Sequence, residues 1–268
     1  MSRTFEGQVV VVTGAGNGLG RSYAHWLAKA GAKVVVNNRV REGRPSSAQQ
    51  VVAEILAAGG TAVADENAID DSVGASRTIN RAMEEWGRLD ALICNAGLTK
   101  VAPLLDAPLS DIHEIMNVNF FGTLYPMLAA ARFMRDAGYG RIVATTSSVA
   151  CFPMAGTGAY AASKSALIGL VRTLDKELTD QNVRVNLIAP RAYTTMSIGY
   201  MDESLKDIFA PEAVARVVAW LASPACINGG FLFKVGGGKI NEMTLGEGPE
   251  ATVDDENVNA IMHDLLKN

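Results

Sequence analysis

The chain has 268 residues, of which 49% are hydrophobic and 19% charged, and its formal net charge is −4. This balance is typical of a globular protein with a substantial core, and it excludes an extended disordered chain. The sequence has no basic stripe and no apolar run of about 20 residues, so we expect neither a nucleic-acid partner nor a membrane span.

Strand-like and helix-like runs alternate along most of the chain. Continuously apolar, β-branched runs predict strands buried on both faces over residues 8–13, 33–37, 61–64, 90–94, 141–146, 183–188 and 231–235. Periodic runs between them predict helices over residues 18–30, 47–58, 70–86, 110–136, 157–181 and 211–222. This alternation predicts an α/β fold, in which a doubly wound parallel sheet of seven strands carries helices on both faces.

We place the end of this single domain near residue 240. Residues 1–240 form the predicted doubly wound domain, and residues 241–268 form an acidic C-terminal extension with a short amphipathic run over 258–266. The extension is expected to lie on the surface or to pack on a neighbouring subunit. Three widely spaced cysteines and three unclustered histidines predict reduced thiols and no metal site. The first strand begins near residue 8, which leaves no room for a signal peptide, so we expect a cytoplasmic protein.

A glycine-rich run, Thr13-Gly-Ala-Gly-Asn-Gly-Leu-Gly20, separates the first strand from the first helix. Such a turn lets the backbone approach a pyrophosphate, and the helix N-terminus attracts the negative charge. Its position after a buried strand favours this interpretation over an ordinary tight turn. The residues of the run that we expect to contact a dinucleotide are Gly14, Asn17, Gly18, Leu19 and Gly20.

The end of the second strand should meet the adenosine ribose of such a dinucleotide. An acid at this point selects NAD, whereas a nearby arginine favours the 2′-phosphate of NADP. The chain has Asn38 and Arg39 here, with Arg41 and Arg44 close behind and no carboxylate at the strand end. We therefore expect NADP, because a guanidinium suits a phosphate dianion. In the alternative, Asn38 binds the ribose hydroxyls of NAD and Arg39 is solvated.

Tyr160-Ala-Ala-Ser-Lys164 places a tyrosine and a lysine on one face of a predicted helix. By itself this pair predicts only a half-buried tyrosine beside a solvated lysine. Ser147, however, lies thirteen residues before the tyrosine at the end of a strand-like run. Together with the glycine-rich turn, these residues indicate an enzyme that moves a hydride between a nicotinamide cofactor and an alcohol or ketone.

These motifs resemble the short-chain dehydrogenase/reductase family along essentially the whole chain. The resemblance rests on Thr13-Gly14-x-x-x-Gly18-x-Gly20, Cys94-Asn95-Ala96-Gly97, Asn119, Ser147, Tyr160-x-x-x-Lys164 and Pro190. It implies a Rossmann fold and an NAD(P)-dependent oxidoreductase with a small-molecule substrate, assembled as a homodimer or homotetramer. Cys94 departs from the asparagine that the family often has, and we expect little effect. Arg191 replaces a usual glycine, and could alter the loop near the nicotinamide or reach a substrate anion.

The resemblance assigns roles to the catalytic set Asn119, Ser147, Tyr160 and Lys164. Tyr160 acts as general acid or base, and Lys164 should lower its pKa and hold the nicotinamide ribose. Ser147 polarises the substrate oxygen, and Asn119 anchors a water that connects Lys164 to solvent. Further expected cofactor contacts are Asp65, Asn95, Ala96, Gly97, Tyr160, Lys164, Pro190 and Thr194, with Thr195 as the alternative to Thr194.

Residues 192–209 are expected to form a lid over an apolar substrate site that suits a sizeable ligand. The side chains expected around this site are Tyr193, Met196, Ile198, Tyr200, Met201, Phe209, Cys151, Phe152 and Met154. The alternative, for about half of them, is ordinary core packing.

Within the family, residues 34–37, 57–63 and 233–239 are similar to the dehydrogenase domain of the peroxisomal multifunctional enzyme of β-oxidation and its bacterial relatives. That likeness implies oxidoreduction of a 3-hydroxyacyl-CoA or a 17β-hydroxysteroid. Two alternatives stay open, a 3-oxoacyl-carrier-protein reductase and a catalytically silent dinucleotide-binding sensor.

Overall fold

The computed structural model describes residues 4–40, 43–199, 201–247, 250 and 261–262. Within these residues, one eight-stranded sheet has the order β3-β2-β1-β4-β5-β6-β7-β8. The strands are β1 Val9–Val12, β2 Lys33–Asn37, β3 Thr61–Asp65, β4 Ala91–Cys94, β5 Gly140–Thr145, β6 Val183–Pro190, β7 Leu232–Gly236 and β8 Lys239–Glu242. Strands β1 to β7 are parallel to their neighbours, and β8 pairs antiparallel with β7. The predicted doubly wound parallel sheet is confirmed.

The helices alternate with the strands as predicted. They are α1 Gly18–Lys29, α2 Ser47–Ala57, α3 Ser72–Trp86, α4 Leu109–Met116, α5 Gly122–Ala137, α6 Gly158–Leu178 and α7 Pro211–Leu221. The helical stretch expected over 110–136 is divided, because a π-helical turn, Asn117–Phe121, separates α4 from α5. Such a turn widens the helix by one residue, and it is common at functional sites.

The valines of β1 show why the strands are continuously apolar. Val10 and Val12 belong to the apolar cluster on one face of the sheet, with side chains from α1, α2 and α7. Val9 and Val11 belong to the cluster on the opposite face, with side chains from α3, α5 and α6. Successive side chains of a strand point to opposite faces, so a sheet covered on both faces needs apolar residues at every position.

The strand order reverses at β1, since β2 and β3 lie on one side of it and β4 to β7 on the other. At such a reversal, the loops that follow neighbouring strands diverge to opposite faces and leave a crevice at the carboxyl ends. The glycine-rich turn follows β1, and Asn95 follows β4. The topology therefore brings these two predicted segments to one crevice.

The eighth strand was not predicted. All four residues of β8 are exposed, and they lack the apolar alternation from which a strand is read. Gly237 and Gly238, both with positive φ, form the turn that joins it to β7. The amphipathic run expected over 258–266 lies outside the described residues except for residues 261 and 262. Among the helices that the structure describes, none is long and apolar enough to cross a membrane.

Candidate active site

The turn after β1 brings its backbone very close to the loop after β4. Gly14 has a φ of +63°, and a Cβ at this position would lie 2.7 Å from Ala96 Cα. A Cβ on Gly20 would clash with the carbonyl oxygen of Gly14. Both positions therefore require glycine. Thr13 Oγ1 accepts hydrogen bonds from the backbone N–H groups of Asn95 and Ala96, at 3.1 and 3.3 Å, which joins the two segments.

The Asn95 side chain holds this turn from the β4 side. Its Nδ2 donates to the carbonyl oxygens of Thr13 and Gly14 at 3.3 and 3.2 Å. The N–H groups of this amide are therefore engaged in hydrogen bonds that order the turn. A direct contact between Asn95 and a cofactor stays a prediction.

The N-terminus of α1 suits an anionic group. Asn17 is the N-cap, but its side chain makes no capping hydrogen bond, and the first turn of this fully described helix contains no acid. The first N–H groups of a helix have no partner within the helix, and the helix dipole favours negative charge there. Gly18 has a φ of +52°, and a Cβ on it would lie 3.5 Å from the Thr194 side chain. The half-buried Leu19 follows. These residues fit the pyrophosphate of a dinucleotide.

Asn38 and Arg39 lie at the end of β2, where the ribose is expected. Asn38 Nδ2 donates to Ser47 Oγ at 2.8 Å, and a Cβ on Gly16 would clash with the Ser47 side chain. The Arg39 guanidinium is 3.7 Å from the Asp70 carboxylate, and both side chains are partly exposed. Sequence reasoning missed both partners, because Ser47 and Asp70 belong to no recognised motif.

The Asp65 carboxylate is buried in a polar network at the end of β3. It accepts hydrogen bonds from Asn37 Nδ2 at 2.5 Å, Asn67 Nδ2 at 2.6 Å and Thr78 Oγ1 at 2.8 Å. The Asp65 carbonyl oxygen accepts a hydrogen bond from the Asn38 N–H at 3.0 Å. The network ties together β2, β3 and α3. The part of Asp65 in cofactor binding stays a prediction.

Lys164 is buried on α6 and is fixed at both ends by the segment that ends β5. Its Nζ donates to the Thr145 carbonyl oxygen at 2.8 Å, and Thr146 Oγ1 donates to the Lys164 carbonyl oxygen at 2.7 Å. Burial lowers the pKa of Lys164 to about 8, and the nearby Cys94 opposes this shift. The ammonium lies 5.9 Å from the centroid of the Tyr160 ring.

Tyr160 differs in one respect from the expectation. Burial raises the pKa of Tyr160, and an interaction with the Ser147 hydroxyl acts in the opposite direction. We expected Lys164 to lower this pKa, and that role stays a prediction, whereas the net shift is upward. The physical reason is that burial outweighs the interactions that favour the phenolate, while the lysine ammonium is directed to a backbone carbonyl. Ser147 directly precedes a short 3₁₀ turn, Ser148–Ala150, and faces the tyrosine.

Asn119 lies in the π-helical turn and is completely buried. Its Oδ1 accepts from the Leu98 N–H at 2.8 Å, and its Nδ2 donates to the Leu98 carbonyl oxygen and to Ser163 Oγ, both at 3.0 Å. Ser163 in turn donates to the Tyr160 carbonyl oxygen at 2.8 Å. Asn119 therefore joins the loop after β4 to α6. Sequence reasoning missed Ser163, although it lies inside the motif that contains Tyr160 and Lys164.

Gly97 lies where these groups meet. A Cβ on Gly97 would be 3.1 Å from Asn119 Oδ1 and 3.4 Å from Lys164 Nζ. The predicted catalytic residues thus converge at the carboxyl ends of β4 and β5. Pro190 ends β6 nearby. Between the two candidate threonines, Thr194 lies opposite Gly18, whereas Thr195 is exposed, which favours Thr194.

The segment expected to form the lid, residues 192–209, lies between β6 and α7 and is described except for Tyr200. The Tyr193 N–H donates to the Phe209 carbonyl oxygen at 2.8 Å, so the two ends of the lid lie side by side. Several apolar side chains of the lid and of the loop after β5 are exposed, namely Met196, Ile198, Phe152 and Met154. Ordinary core packing therefore does not account for these four residues, whereas Cys151 is half-buried.

Comparison with known proteins agrees with this geometry. Residues 8–204 match the family model described as short chain dehydrogenase. The peroxisomal multifunctional enzyme type 2 of Mus musculus is 37% identical over 251 residues, which are 90% of this chain and 34% of that enzyme. The chain therefore spans about a third of the length of that enzyme.

Two solved structures are similar over most of the chain. The crystal structure of a short chain dehydrogenase from Mycobacterium avium has a TM-score of 0.89 and 36% identity, and the match covers 98% of this chain and 96% of the other. A 7α-hydroxysteroid dehydrogenase, complexed with NADH and 7-oxo glycochenodeoxycholic acid, has a TM-score of 0.80 and 30% identity. That match covers 88% of this chain and 96% of the other.

Proposed function

This chain belongs to the short-chain dehydrogenase family, and we propose that it is an NAD(P)-dependent oxidoreductase that interconverts a secondary alcohol and a ketone. One observation carries the proposal. Ser147, Tyr160 and Lys164 come together at the carboxyl ends of the strands, beside a glycine-rich turn that fits a pyrophosphate. The tight glycine positions allow the pyrophosphate of a dinucleotide to approach the backbone, and the paired acid–base group can supply the proton that ketone reduction needs.

A nicotinamide dinucleotide bound at this crevice would supply or accept the hydride. The residues proposed to hold it are Gly14, Asn17, Gly18, Leu19, Gly20, Asn38, Arg39, Asp65, Asn95, Ala96, Gly97, Tyr160, Lys164, Pro190 and Thr194. Close packing at the glycine-rich turn supports the residues proposed there, since a side chain on Gly14 or Gly20 would clash with backbone atoms.

Tyr160 is the proposed proton donor in ketone reduction. Its raised pKa keeps the phenol protonated at neutral pH, which a general acid must be before it acts. Ser147 interacts with Tyr160, so one substrate oxygen can receive hydrogen bonds from both hydroxyls. These hydrogen bonds stabilise the negative charge that develops on the oxygen.

Lys164 is the proposed source of positive charge for the tyrosine. With a pKa of about 8 it is mostly protonated at neutral pH. A charge 5.9 Å from the ring favours the phenolate that remains once Tyr160 has given up its proton. Asn119 keeps the loop containing Leu98 against α6, and so maintains the space around the ammonium.

We propose NADP as the preferred cofactor, and Arg39 as the residue that selects it. Its pair with Asp70 spans 3.7 Å between partly exposed groups, and such surface pairs contribute little to stability. The guanidinium can therefore exchange this acid for a phosphate, which it binds through two parallel hydrogen bonds. In the alternative, Asn38 binds the ribose hydroxyls of NAD.

The proposed substrate is a bulky apolar ketone or an acyl-CoA thioester. The exposed Phe152, Met154 and Met196 around the cleft support it, because they provide an apolar surface for a large ligand. Similarity to the mouse peroxisomal enzyme and to the steroid dehydrogenase supports it as well. A 3-oxoacyl-carrier-protein reductase is the second candidate. We also propose a homodimer or homotetramer, as the family resemblance implies.

Turnover of acetoacetyl-CoA and of a 17-ketosteroid, each with NADPH and with NADH, tests the function. Activity on the thioester supports the acyl-CoA class, and the faster cofactor decides between the proposed roles of Arg39 and Asn38. Activity only on a 3-oxoacyl carrier protein would favour the second candidate. Cofactor binding without turnover of any of these ketones would contradict the proposed substrate class.

A further inference from the structure

Arg191 lies where β6 ends and the lid begins, at a position that resembles a glycine position in the family. Its backbone N–H donates to the Val235 carbonyl oxygen at 2.7 Å, which fixes it to β7. A Cβ on Gly236 would lie 2.8 Å from the Arg191 Cβ, so the end of β7 is pressed against this residue. The backbone of Arg191 is therefore held rigidly at the base of the lid.

The Arg191 side chain crosses the base of the lid to its last residue. The guanidinium Cζ lies 4.4 Å from the centroid of the Phe209 ring. The Phe209 carbonyl oxygen accepts a hydrogen bond from the Tyr193 N–H at 2.8 Å. Behind the ring, a Cβ on Gly237 would lie 2.9 Å from a ring carbon. One backbone hydrogen bond and one stacked pair thus join the two ends of the lid.

Stacking is the principal interaction of this guanidinium within the protein. Among the described residues, Arg191 has no ion pair and no side-chain hydrogen bond. A guanidinium within about 6 Å of a ring centroid is attracted to the ring, and at an exposed site the attraction shifts an equilibrium by about two- to fivefold. A lysine could not stack its charged group flat on the ring in the same way.

We propose that Arg191 is a positioning residue, which keeps the base of the lid closed by stacking on Phe209 and thereby strengthens retention of the substrate. This inference rests on the proposed function, because the lid begins beside Thr194, which lies opposite Gly18 of the cofactor turn. Arg191 acts on the substrate through the lid and need not touch the ketone.

The consequence for kinetics is specific. If substrate binds only when the lid is closed, the apparent dissociation constant is the intrinsic one divided by the fraction of molecules in which the lid is closed. Loss of the stacked pair lowers this fraction and raises KM, while Tyr160 and Lys164 keep their geometry and kcat changes little. A residue that only stabilised the fold would lower the melting temperature without this division between KM and kcat.

The test uses Arg191→Met, which keeps the length of the side chain, and Phe209→Leu, which keeps apolar bulk but removes the ring. Each should raise KM by at most about fivefold, equally for acetoacetyl-CoA and for a neutral 17-ketosteroid, since this is the largest change that the stacked pair can make to the closing equilibrium. The double variant should show no further increase, because both changes remove one interaction. Phe209→Tyr keeps the ring and should therefore raise KM less than Phe209→Leu does.

A second measurement needs no substrate. Lys206 is an exposed residue of the lid, so cleavage after it by a lysine-specific protease reports opening of the lid. Arg191→Met should accelerate this cleavage as well, and the fold increases in KM and in cleavage should multiply to about two- to fivefold, because both depend on the same closing equilibrium. Arg216→Met is the matched control, since Arg216 lies 5.6 Å from the centroid of the Trp26 ring, outside the lid, and its loss should change neither KM nor this cleavage.

Three results would overturn the proposal. An increase in KM confined to the CoA thioester would mean that Arg191 binds a substrate anion instead. Additive effects in the double variant would mean that Arg191 and Phe209 act independently. Unchanged cleavage after Lys206 would show that the stack does not hold the lid. If no ketone is turned over, the proposed function fails, whereas faster cleavage in Arg191→Met still supports the lid contact.

Discussion

The Lys164 ammonium donates a hydrogen bond to the Thr145 carbonyl oxygen at 2.8 Å, at the carboxyl end of β5. This contact orients a fully buried charge whose distance from the Tyr160 ring centroid is 5.9 Å. The lysine of α6 is thus anchored to the carboxyl end of β5, and its charge acts on the tyrosine through space. Lys164 carries this charge only while its amine is protonated, and because burial lowers the pKa to about 8, the protonation changes near neutral pH.

Tyr160→Phe removes the proposed acid and keeps the ring. We expect kcat to fall by about 10²- to 10⁴-fold, because proton transfer by a positioned group contributes about this much. The dissociation constant for the cofactor should change little. Steady-state rates and a fluorescence titration measure the two quantities. Tyr125→Phe is the control, since Tyr125 stacks on Phe121 and is not one of the proposed catalytic residues. Near-normal turnover by Tyr160→Phe would contradict the mechanism.

The stability of the protein should depend on pH through Lys164. Its pKa is lowered from 10.5 to about 8 on folding, so between these values the unfolded chain holds the proton more strongly. The lysine's contribution to the free energy of unfolding therefore rises from pH 8 to pH 10.5 and is least favourable below pH 8. The full change amounts to about 3 kcal/mol.

Lys164→Met provides the comparison, because methionine carries no proton. The free energy of unfolding of the wild type, relative to this variant, should increase between pH 7 and pH 10. Urea unfolding of both proteins at pH 7, 8, 9 and 10 measures it. If the difference in the free energy of unfolding stayed constant with pH, the pKa of Lys164 would not be lowered in the folded protein.

Arg39→Ala should weaken NADPH binding by about tenfold and NADH binding much less, since one charge-assisted contact with the 2′-phosphate is lost. Asp70→Asn should act in the opposite direction, because it releases the guanidinium from its acid. Titration calorimetry with both cofactors measures these effects. Arg172→Ala removes an exposed arginine from α6 and serves as the control. Equal losses for the two cofactors would exclude a phosphate contact.

Gly14→Ala should destabilise the protein by about 1–3 kcal/mol, because alanine is strained at a φ of +63° and its Cβ would meet Ala96. NADPH and NADH should both bind more weakly, since the same turn would hold either pyrophosphate. Gly246→Ala, with an ordinary φ and open space around it, should be neutral. Urea unfolding measures the change in stability. If Gly14→Ala had the same free energy of unfolding as the wild type, the turn would not be sterically closed.

Residues close in the chain were predicted well. The apolar run of β2 predicts the observed bounds, Lys33–Asn37, and the spacing of Tyr160 and Lys164 predicts one face of α6. The π-helical turn Asn117–Phe121 was not predicted, because helical periodicity does not record a change from one hydrogen-bond spacing to another. The exposed β8 was not predicted either, because its residues carry no apolar pattern.

The succession of strands and helices along the chain and the chemistry available at the crevice could be read from the amino-acid sequence. Both depend on periodicities of two and 3.6 residues and on motifs of neighbouring residues. The partner of each functional group, in contrast, became known only from the folded chain. Lys164 binds a carbonyl of β5, Arg39 faces Asp70 and Arg191 stacks on Phe209. Such contacts join residues 18 or more positions apart, which no local pattern relates.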